Sequence, residues 1–267
     1  MKNPDLEKSF ARLRDELDRK IAKQNPALLY ARIRQRIQTP ALRRLLARLK
    51  RFEHQPEKIR LTDRKDLLLL LFYAPGRTGR FAEPLLGMTR ITKLLFLALA
   101  ELNLKKLTRT TYRFQPYKLG PFAPELYDDL EILIQAGLIQ AVSLQPDGIP
   151  VIRTDARTIQ LLNRLNSGIT AAERLDAAQL LLELTPRGRR LARALFQIAT
   201  RRQKNLAAGL KIIKTQFGSL PLTQLLRYVY TRYPEYTTRS EILDRIIKNR
   251  TTLTRPDDNS NLTFKKI

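Results

Sequence analysis

The first 60 residues show the apolar spacing of amphipathic helices. One stripe is formed by Leu6, Phe10, Leu13, Leu17 and Ile21. The dipeptide Asn25-Pro26 ends this helix, because the residue before a proline disfavours helical backbone. A second helix is predicted over residues 29–37. A third begins at Thr39-Pro40, since threonine suits the cap position and proline suits the first turn.

From Leu61 onwards the spacing becomes that of a packed core. The stretch "LTDRKDLLLLLFYA" predicts a helix capped near Thr62 or Asp63. The stretch "PGRTGRFAEP" is rich in glycine and proline and predicts a loop. The following stretch, "GMTRITKLLFLALAELNL", is apolar on nearly every side. A helix of that kind must lie inside the molecule.

The stretch "YKLGPFAPELYDDLEILIQAGLI" predicts a Gly-Pro corner followed by a helix and a strand. Pro124 suits a first turn, so the helix is expected to begin near Ala123 and to stop at Gly137. The strands "LIQAVSL" and "IPVIRT" are joined by the turn signal "QPDG". Residues 155–179 predict one or two inserted helices, and "LLLEL" then returns as a strand. This order is typical of the third helix and the wing of a winged helix.

The C-terminal part predicts three further helices. The stretch "TPRGRRLARALFQIATRRQK" is a helix with Thr185 as its cap and Pro186 in its first turn. Two more helices are predicted on either side of "YPEYT". Thr238 and Glu241 have the spacing of a capping box, which places the start of the last helix there.

The pattern as a whole predicts a mainly α fold with a winged-helix-like core and a small β-hairpin or three-stranded wing. A basic helical region precedes this core. The predicted parts are the basic helices over residues 1–60, the winged-helix-like domain over 61–216, a helical pair over 217–250 and a disordered tail over 251–267.

Charge adds the main functional signal. The chain of 267 residues has 50 lysines and arginines against 25 aspartates and glutamates, which is a formal net charge of +25. A surplus of this size repels itself unless an anionic partner lies nearby. Nucleic acid, either DNA or RNA, is the usual partner of so basic a chain. A solubilising surface, an acidic protein and an anionic membrane are the alternatives.

The cations gather on predicted helix faces and in loops. Arginine suits phosphate because its planar guanidinium meets two phosphate oxygens at once. Arg44, Arg48 and Arg51, for example, share a face by their spacing. A solvated face is the alternative interpretation. The candidate nucleic-acid-binding residues are Arg32, Arg36, Arg43, Arg44, Arg48, Arg51, Arg77, Arg80, Arg90, Lys93, Lys105, Lys106, Arg109, Arg113, Lys118, Arg189, Arg190, Arg193, Arg201 and Lys204.

The helix at the position where a winged helix reads DNA is acidic. Glu125, Asp128 and Asp129 lie in its early turns, where carboxylates oppose the helix dipole favourably. Carboxylates in a groove would repel phosphates, so this helix is not expected to read bases. It is expected to be either an internal counter-charge that pairs with arginines of the N-terminal helices or a protein-binding surface.

Aromatic residues interleave with the cations over residues 105–118. Tyr112, Phe114 and Tyr117 alternate as they would in a half-buried strand, and that interpretation is favoured over a base-stacking ladder. The four tyrosines of the C-terminal part are likewise expected in the core or on a docking surface. They are Tyr228, Tyr230, Tyr233 and Tyr236.

Composition excludes several kinds of chemistry. The chain has no cysteine and one histidine, His54, so it lacks a thiolate nucleophile and the ligands of a conventional zinc site. Neither the phosphate-binding GxxxxGK[ST] loop nor the GxSxG motif occurs. A carboxylate-only nuclease site is a weaker alternative, because Asp128 and Asp129 point about 100° apart on a helix. No enzyme activity, cofactor or metal is therefore expected.

The apolar runs do not predict a membrane protein. The longest, "LLLLLFYA", is far shorter than the roughly 20 residues that span a bilayer. The first ten residues, "MKNPDLEKSF", lack an apolar signal region. A soluble, cytoplasmic protein that does not bind membranes is expected.

Three blocks of residues follow one another along the chain: Lys93, Leu94 and Phe96, then Tyr117, Gly120, Pro121 and Phe122, then Leu130, Ile134, Gly137 and Leu138. These blocks resemble the Panacea or SocA-like antitoxin domain and related uncharacterised bacterial proteins. The resemblance covers roughly Leu61 to Lys248 and is moderately specific. It implies a winged-helix-like domain, found in defence and mobile-element settings, that binds a partner such as a toxin or a protease adaptor. The arginine-rich N-terminal helices and the high positive charge depart from that pattern.

Two functions are therefore expected from the sequence. The first is a non-enzymatic nucleic-acid-binding protein, acting as a regulator or as a subunit of a nucleoprotein assembly. The alternative is an antitoxin-like module that binds a toxin, an effector or another protein subunit through Glu125, Asp128 and Asp129. Charge favours the first, and the family resemblance favours the second.

Overall fold

The computed structural model describes residues 39–144, 150–152 and 180–248. Four groups of sequence predictions lie outside these residues: the first two helices with Arg32 and Arg36, the "QPDG" turn, the inserted helices over 155–179 and the tail. The chain divides into two compact units, residues 1–48 and 49–267. The division falls within the first described helix.

The described residues form eight α-helices, so the fold is mainly helical, as predicted. They are α1 (Pro40–His54), α2 (Arg64–Tyr73), α3 (Met88–Glu101), α4 (Glu125–Gln135), α5 (Pro186–Arg202), α6 (Leu206–Phe217), α7 (Leu222–Arg232) and α8 (Leu243–Lys248). Single 3-10 turns follow α1, α3 and α7.

A small antiparallel sheet accompanies the helices. Its strands are β1 (Leu85–Leu86), β4 (Ile139–Leu144), β5 (Pro150–Ile152) and β6 (Leu180–Leu184), in the spatial order β1-β6-β4-β5. A separate hairpin joins β2 (Gln115–Tyr117) to β3 (Gly120–Phe122). The three strands predicted from "LIQAVSL", "IPVIRT" and "LLLEL" are confirmed as β4, β5 and β6. Strand β1 was not predicted, because two residues are too few to show strand alternation.

The core is built around α2 and α3. Asp63 and Asp66 form a capping box at the start of α2, in which each side chain accepts a hydrogen bond from the backbone amide of the other residue. This confirms the predicted start of the helix. Every residue from Leu67 to Phe72 is buried, since α2 packs against α3, α4 and α5. Helix α3 is buried along most of its length and also packs against α6 and α7. Both helices are apolar on all sides for this reason.

The predicted boundaries of α4 and α5 hold closely. Helix α4 ends at Gln135, two residues before Gly137, whose φ of 68° is the left-handed conformation that glycine tolerates best. Thr185 caps α5 by accepting a hydrogen bond from the Gly188 amide at 3.0 Å. The same hydroxyl donates to the Gly137 carbonyl at 2.7 Å, so the end of α4 and the start of α5 are tied together.

The last helix begins later than its capping-box signal predicts. Helix α8 starts at Leu243 rather than beside Thr238, so that expectation is wrong. Glu241 is instead drawn to the β2–β3 hairpin, where its amide donates to the Lys118 carbonyl at 3.0 Å and its carboxylate pairs with the Lys118 ammonium at 2.7 Å. Glu241 therefore forms a long-range ion pair with Lys118 instead of the capping interaction that its spacing from Thr238 predicts.

Candidate nucleic-acid interface

Helix α5 has an apolar face and a cationic face. Leu191 and Leu195 are fully buried, because they pack toward the core on the side of α2 and β6. The helix contains six arginines and no carboxylate. The predicted cations on and just after it are all exposed: Arg189, Arg190, Arg193, Arg201 and Lys204. We call these five residues the α5 cationic face.

The first turn of α5 places positive charge where the helix dipole disfavours it. Arg187 and Arg189 lie in this turn, and no acidic residue accompanies them. Arg187 is compensated by Glu53, with a nitrogen–oxygen distance of 2.8 Å, and it also donates to the Ala136 carbonyl at 3.3 Å. Arg189 donates to the Leu184 carbonyl at 3.2 Å. Among the described residues, no carboxylate pairs with Arg190 or Arg193.

A shallow groove lies at the N-terminal ends of α2 and α4. Its volume is about 550 Å³. It brings together the predicted cations Arg109 and Arg113 with Arg64, which sequence reasoning missed. The remaining lining residues are Thr110, Thr111, Gln115, Pro124 and Glu125. Arg64 is paired with Asp129, so the positive charge by which this groove could attract an anion comes from Arg109 and Arg113.

The position of Arg64 depends on a partner far along the chain. Its Nε donates to Asp129 Oδ2 at 2.6 Å, across 65 residues of sequence. Lys65 lies 3.7 Å from the other carboxylate oxygen. Arg64 is also the first residue of α2, and in the sequence it looks like any other cation beside a helix cap. No local pattern could have identified it as part of a groove.

The three predicted protein-binding carboxylates of α4 have different surroundings. Asp129 is 1% exposed and serves as an internal counter-charge, although to α2 rather than to the N-terminal helices. Burial raises the pKa of its carboxyl, while the hydrogen bond from Arg64 and the charge of Lys65 oppose that rise. Glu125 is half-buried and accepts the Arg113 amide at 2.7 Å. Asp128 is exposed, and it remains as the acidic candidate for a protein contact.

Three predicted phosphate contacts are occupied by structural interactions. Lys93 is 2% exposed and donates to the Pro121 carbonyl at 2.7 Å, so its assignment to the nucleic-acid interface is corrected. Arg90 is half-buried and donates to the Phe217, Gly218 and Leu220 carbonyls, which closes the end of α6. Lys118 is held by Glu241. Each cation stabilises backbone oxygens or a carboxylate that would otherwise lack a partner.

The other predicted cations remain at the surface. Arg48 is half-buried, and the remainder are exposed: Arg43, Arg44, Arg51, Arg77, Arg80, Lys105, Lys106, Arg109 and Arg113. In α1 the opposite side is apolar, and Leu42, Leu45 and Leu49 are buried. The predicted separation of faces in this helix is therefore confirmed.

The aromatic residues support the core more than the surface. Tyr112 is buried and its hydroxyl lacks a hydrogen bond among the described residues; burial and the nearby Asp129 charge raise its pKa. Phe114 packs against Phe96 at 5.2 Å between ring centroids. Tyr117 stacks on Phe122 at 4.7 Å. The three rings are buried or half-buried as expected, but only Gln115–Tyr117 of the expected strand forms, as β2.

The C-terminal tyrosines also pack against other rings. Tyr233 and Tyr236 both contact Phe96, with centroid distances of 4.9 and 4.8 Å. Tyr228 contacts Phe217, and Tyr230 is buried. These residues tie α7 and the following turn to the core, as the sequence analysis expected.

Within residues 39–144, 150–152 and 180–248, no cluster of three or more acidic or histidine residues is arranged to hold a metal ion. None of the helices in these ranges is both long and apolar enough to cross a bilayer. No family model, curated protein or solved structure matches the chain.

Proposed function

We propose that this protein binds nucleic acid without catalysing a reaction, as a regulator or as a subunit of a nucleoprotein assembly of the defence or mobile-element kind. The α5 cationic face carries the proposal. Six arginines and no carboxylate lie on one helix of a chain with a net charge of +25. Phosphate is the ligand that such a face fits best, because guanidinium groups donate to phosphate oxygens in pairs.

The first turn of α5 gives a second line of support. Arg187 is compensated by Glu53, but the charge of Arg189 works against the helix dipole, which costs the isolated protein stability. A bound phosphate would reverse that cost, since the positive end of a helix and the guanidinium groups would both face an anion. The arrangement is therefore better explained by an anionic partner than by solubility.

The order of elements supports a winged-helix-like core. Helix α2 is followed by β1, then α3 and α4, then β4 and β6, and β6 lies between β1 and β4. In such a core α4 would occupy the reading position. Its exposed Asp128 makes that helix a poor reader of DNA, so we assign the phosphate contacts to α5 and the neighbouring loops.

A salt titration of filter binding tests the proposal. With about 6–10 phosphate contacts, affinity for DNA or RNA is expected to fall about 10³- to 10⁵-fold between roughly 50 and 200 mM salt. A flat response to salt, or no binding at low salt, would overturn the proposal.

Paired variants identify the surface. The double variant Arg190→Gln, Arg193→Gln removes two charges from the α5 cationic face and should lower the log–log salt slope for duplex DNA by about 1.8, or about 0.9 per contact. The control Arg232→Gln, Arg239→Gln removes the same charge from exposed positions near α7. Equal losses in both variants would show that the net charge, rather than the α5 face, holds the nucleic acid.

The acidic helix distinguishes the antitoxin-like alternative. Asp128→Asn should leave affinity for nucleic acid unchanged or raise it, because it removes a repulsive charge. If the protein instead co-purifies with a stoichiometric protein after nuclease treatment, and Asp128→Asn releases that protein, then the protein-binding alternative is correct.

A further inference from the structure

The loop over residues 75–84 presents an aromatic ring to solvent. Phe81 is 54% exposed, and it is the aromatic residue among the exposed large hydrophobic side chains of the described ranges. Leaving much of a phenyl ring in water forgoes the stabilisation that its full burial would bring. Other aromatic residues near predicted cations, such as Tyr112 and Tyr117, pack into the core instead. Within the described ranges, Phe81 is therefore the exposed aromatic side chain that a ligand could reach.

The ring is supported from behind by two others. Its centroid lies 5.1 Å from that of Tyr73 and 5.8 Å from that of Phe196, and those two rings are 5.4 Å apart. Tyr73 ends α2, and Phe196 is buried in the middle of α5. Contacts of this kind stabilise an aromatic cluster beyond simple burial. Phe81 is therefore held in place while more than half of it remains accessible.

The loop backbone is fixed by its own hydrogen bonds. Glu83 accepts from the amide and the hydroxyl of Thr78 at 3.0 and 2.7 Å. The Gly76 amide donates to the Arg80 carbonyl at 3.2 Å. The amide of Ala82 donates to the Tyr73 carbonyl at 2.9 Å, although Ala82 has a φ of 59° that a non-glycine residue adopts at a cost. This residue directly follows Phe81, so the backbone beside the ring is tied to the end of α2.

Exposed arginines lie in the Phe81 loop and on the helix against which the ring packs. Arg77 and Arg80 belong to the same loop and are exposed. Arg193, also exposed, lies three residues before Phe196 on α5, so it is a helix-surface neighbour of the residue that Phe81 contacts. An exposed ring accompanied by exposed arginines has the composition of a single-strand binding site, where rings stack on bases and cations hold the phosphates.

We infer that Phe81 is a stacking platform for an unpaired nucleobase, whose flanking phosphates are held by Arg77, Arg80 and the α5 cationic face. This inference rests on the proposed function and specifies the kind of nucleic acid. Bases inside a duplex already stack on their neighbours, so an isolated protein ring favours a single strand, an end or a junction. Little sequence preference is expected, because every base has a π face.

Affinity measurements on Phe81→Leu test the inference. Leucine keeps an apolar side chain against Tyr73 and Phe196 but has no π face. Affinity for a single-stranded oligonucleotide of roughly 16 nucleotides should fall about 5- to 150-fold, the loss expected for one stacked base. The salt slope should stay unchanged, because no charge is removed. The affinity of Phe81→Leu for the corresponding duplex should also stay unchanged. Ile247 is exposed on α8, and the control Ile247→Leu should bind both nucleic acids like the natural chain.

A fluorescent variant reports the contact directly. The chain has no tryptophan, so Phe81→Trp introduces a single indole at the ring position. Its fluorescence should be quenched when the single strand is added, and its affinity should match that of the natural chain. Ile247→Trp places an indole at a similarly exposed position and should not be quenched.

The outcomes separate this inference from the function on which it rests. If the natural chain binds with the expected salt dependence but Phe81→Leu binds equally well, or Phe81→Trp is not quenched, the stacking platform is wrong and the proposed function stands. Equal losses for single strand and duplex would show that the ring only supports the fold, which also overturns the platform. If the natural chain binds neither nucleic acid, the proposed function fails and the platform fails with it.

Discussion

Residues of one chemical type have opposite roles in this molecule. Asp128 and Asp129 are adjacent in α4, yet Asp128 is exposed and Asp129 is buried against Arg64. Lysines divide in the same way, since Lys211 is exposed and Lys214, three residues later, is 3% exposed. The deciding factor is the side of the helix on which each residue falls and what is packed there.

Lys214 shows how such a buried cation is tolerated. Its ammonium donates to the Phe72, Ala74 and Glu83 carbonyls at 3.2, 2.7 and 3.3 Å. These bonds join α6 to the end of α2 and to the base of the Phe81 loop. Burial lowers the pKa of Lys214 to about 8, and the nearby Glu83 charge only partly opposes that change.

The pKa of Lys214 predicts that stability rises with pH. Between about pH 8 and 10.5 the unfolded chain keeps its proton on this lysine while the folded chain has lost it. The state that binds more protons is disfavoured as pH increases, so folding gains stability in this window. Below pH 8 both states are protonated and no gain remains.

Urea denaturation checks this prediction through variants. The free energy of unfolding of the natural chain, relative to Lys214→Met, should increase by about 2 kcal/mol from roughly pH 7 to pH 10. Lys211→Met, at the exposed position on the same helix, should behave like the natural chain. A parallel pH response in the natural chain and Lys214→Met would show that Lys214 keeps an ordinary pKa.

At the scale of elements, the junction between α4 and α5 controls where the cationic face points. The first turn of α5 lies directly on the backbone that follows α4, and a Cβ added at Gly188 would overlap the Leu138 carbonyl oxygen. Thr185 fixes the same junction by bonding both Gly188 and Gly137. The direction of the arginines on α5 therefore depends on a close backbone contact.

Gly188→Ala is expected to destabilise the protein despite the better helix propensity of alanine. Propensity alone would favour the substitution by about 1 kcal/mol. The overlap with Leu138 should outweigh it, giving a net loss of about 1–3 kcal/mol in the free energy of unfolding. At Ala208, which is exposed on α6, helix propensity alone should decide. Ala208→Gly should therefore lower the free energy of unfolding by about 1 kcal/mol. Denaturant unfolding of both variants compares the two sites, and a more stable Gly188→Ala would contradict the contact.

For the whole molecule, the excess of positive charge should oppose folding. With a net charge of +25, the folded chain brings cations closer together than the unfolded chain does. Raising sodium chloride from about 0.05 to 0.5 M screens that repulsion and should raise the thermal midpoint by a few degrees.

The double variant Arg190→Gln, Arg193→Gln provides the control for this effect. It should be more stable than the natural chain at low salt and should respond less to added salt, because it lacks two of the repelling charges. A thermal midpoint that falls with salt in the natural chain would show that ion pairs outweigh the repulsion. Calorimetry or circular dichroism at several salt concentrations measures both quantities.

The sequence by itself determined helices α1 to α5 and α7 and strands β4 to β6, but it predicted neither α6 nor β1 nor the β2–β3 hairpin, and it placed the start of α8 too early. Asp63, Gly137 and Thr185 mark element ends through local backbone chemistry, which needs no information from elsewhere in the chain. The separation of apolar and cationic faces on α1 and α5 follows from spacing alone. The net charge, and with it the expectation of an anionic partner, is likewise a property of composition.

Only the tertiary structure decided which charges remain available to a partner. Lys93 and Arg90 looked like the other cations, but each meets backbone carbonyls from distant parts of the chain, up to 130 residues away for Arg90. Arg64 joined the groove through Asp129, and Phe81 remained at the surface because Tyr73 and Phe196 support it from behind. Long-range contacts of this kind depend on how the elements pack against one another. The spacing of residues within one segment therefore cannot predict them.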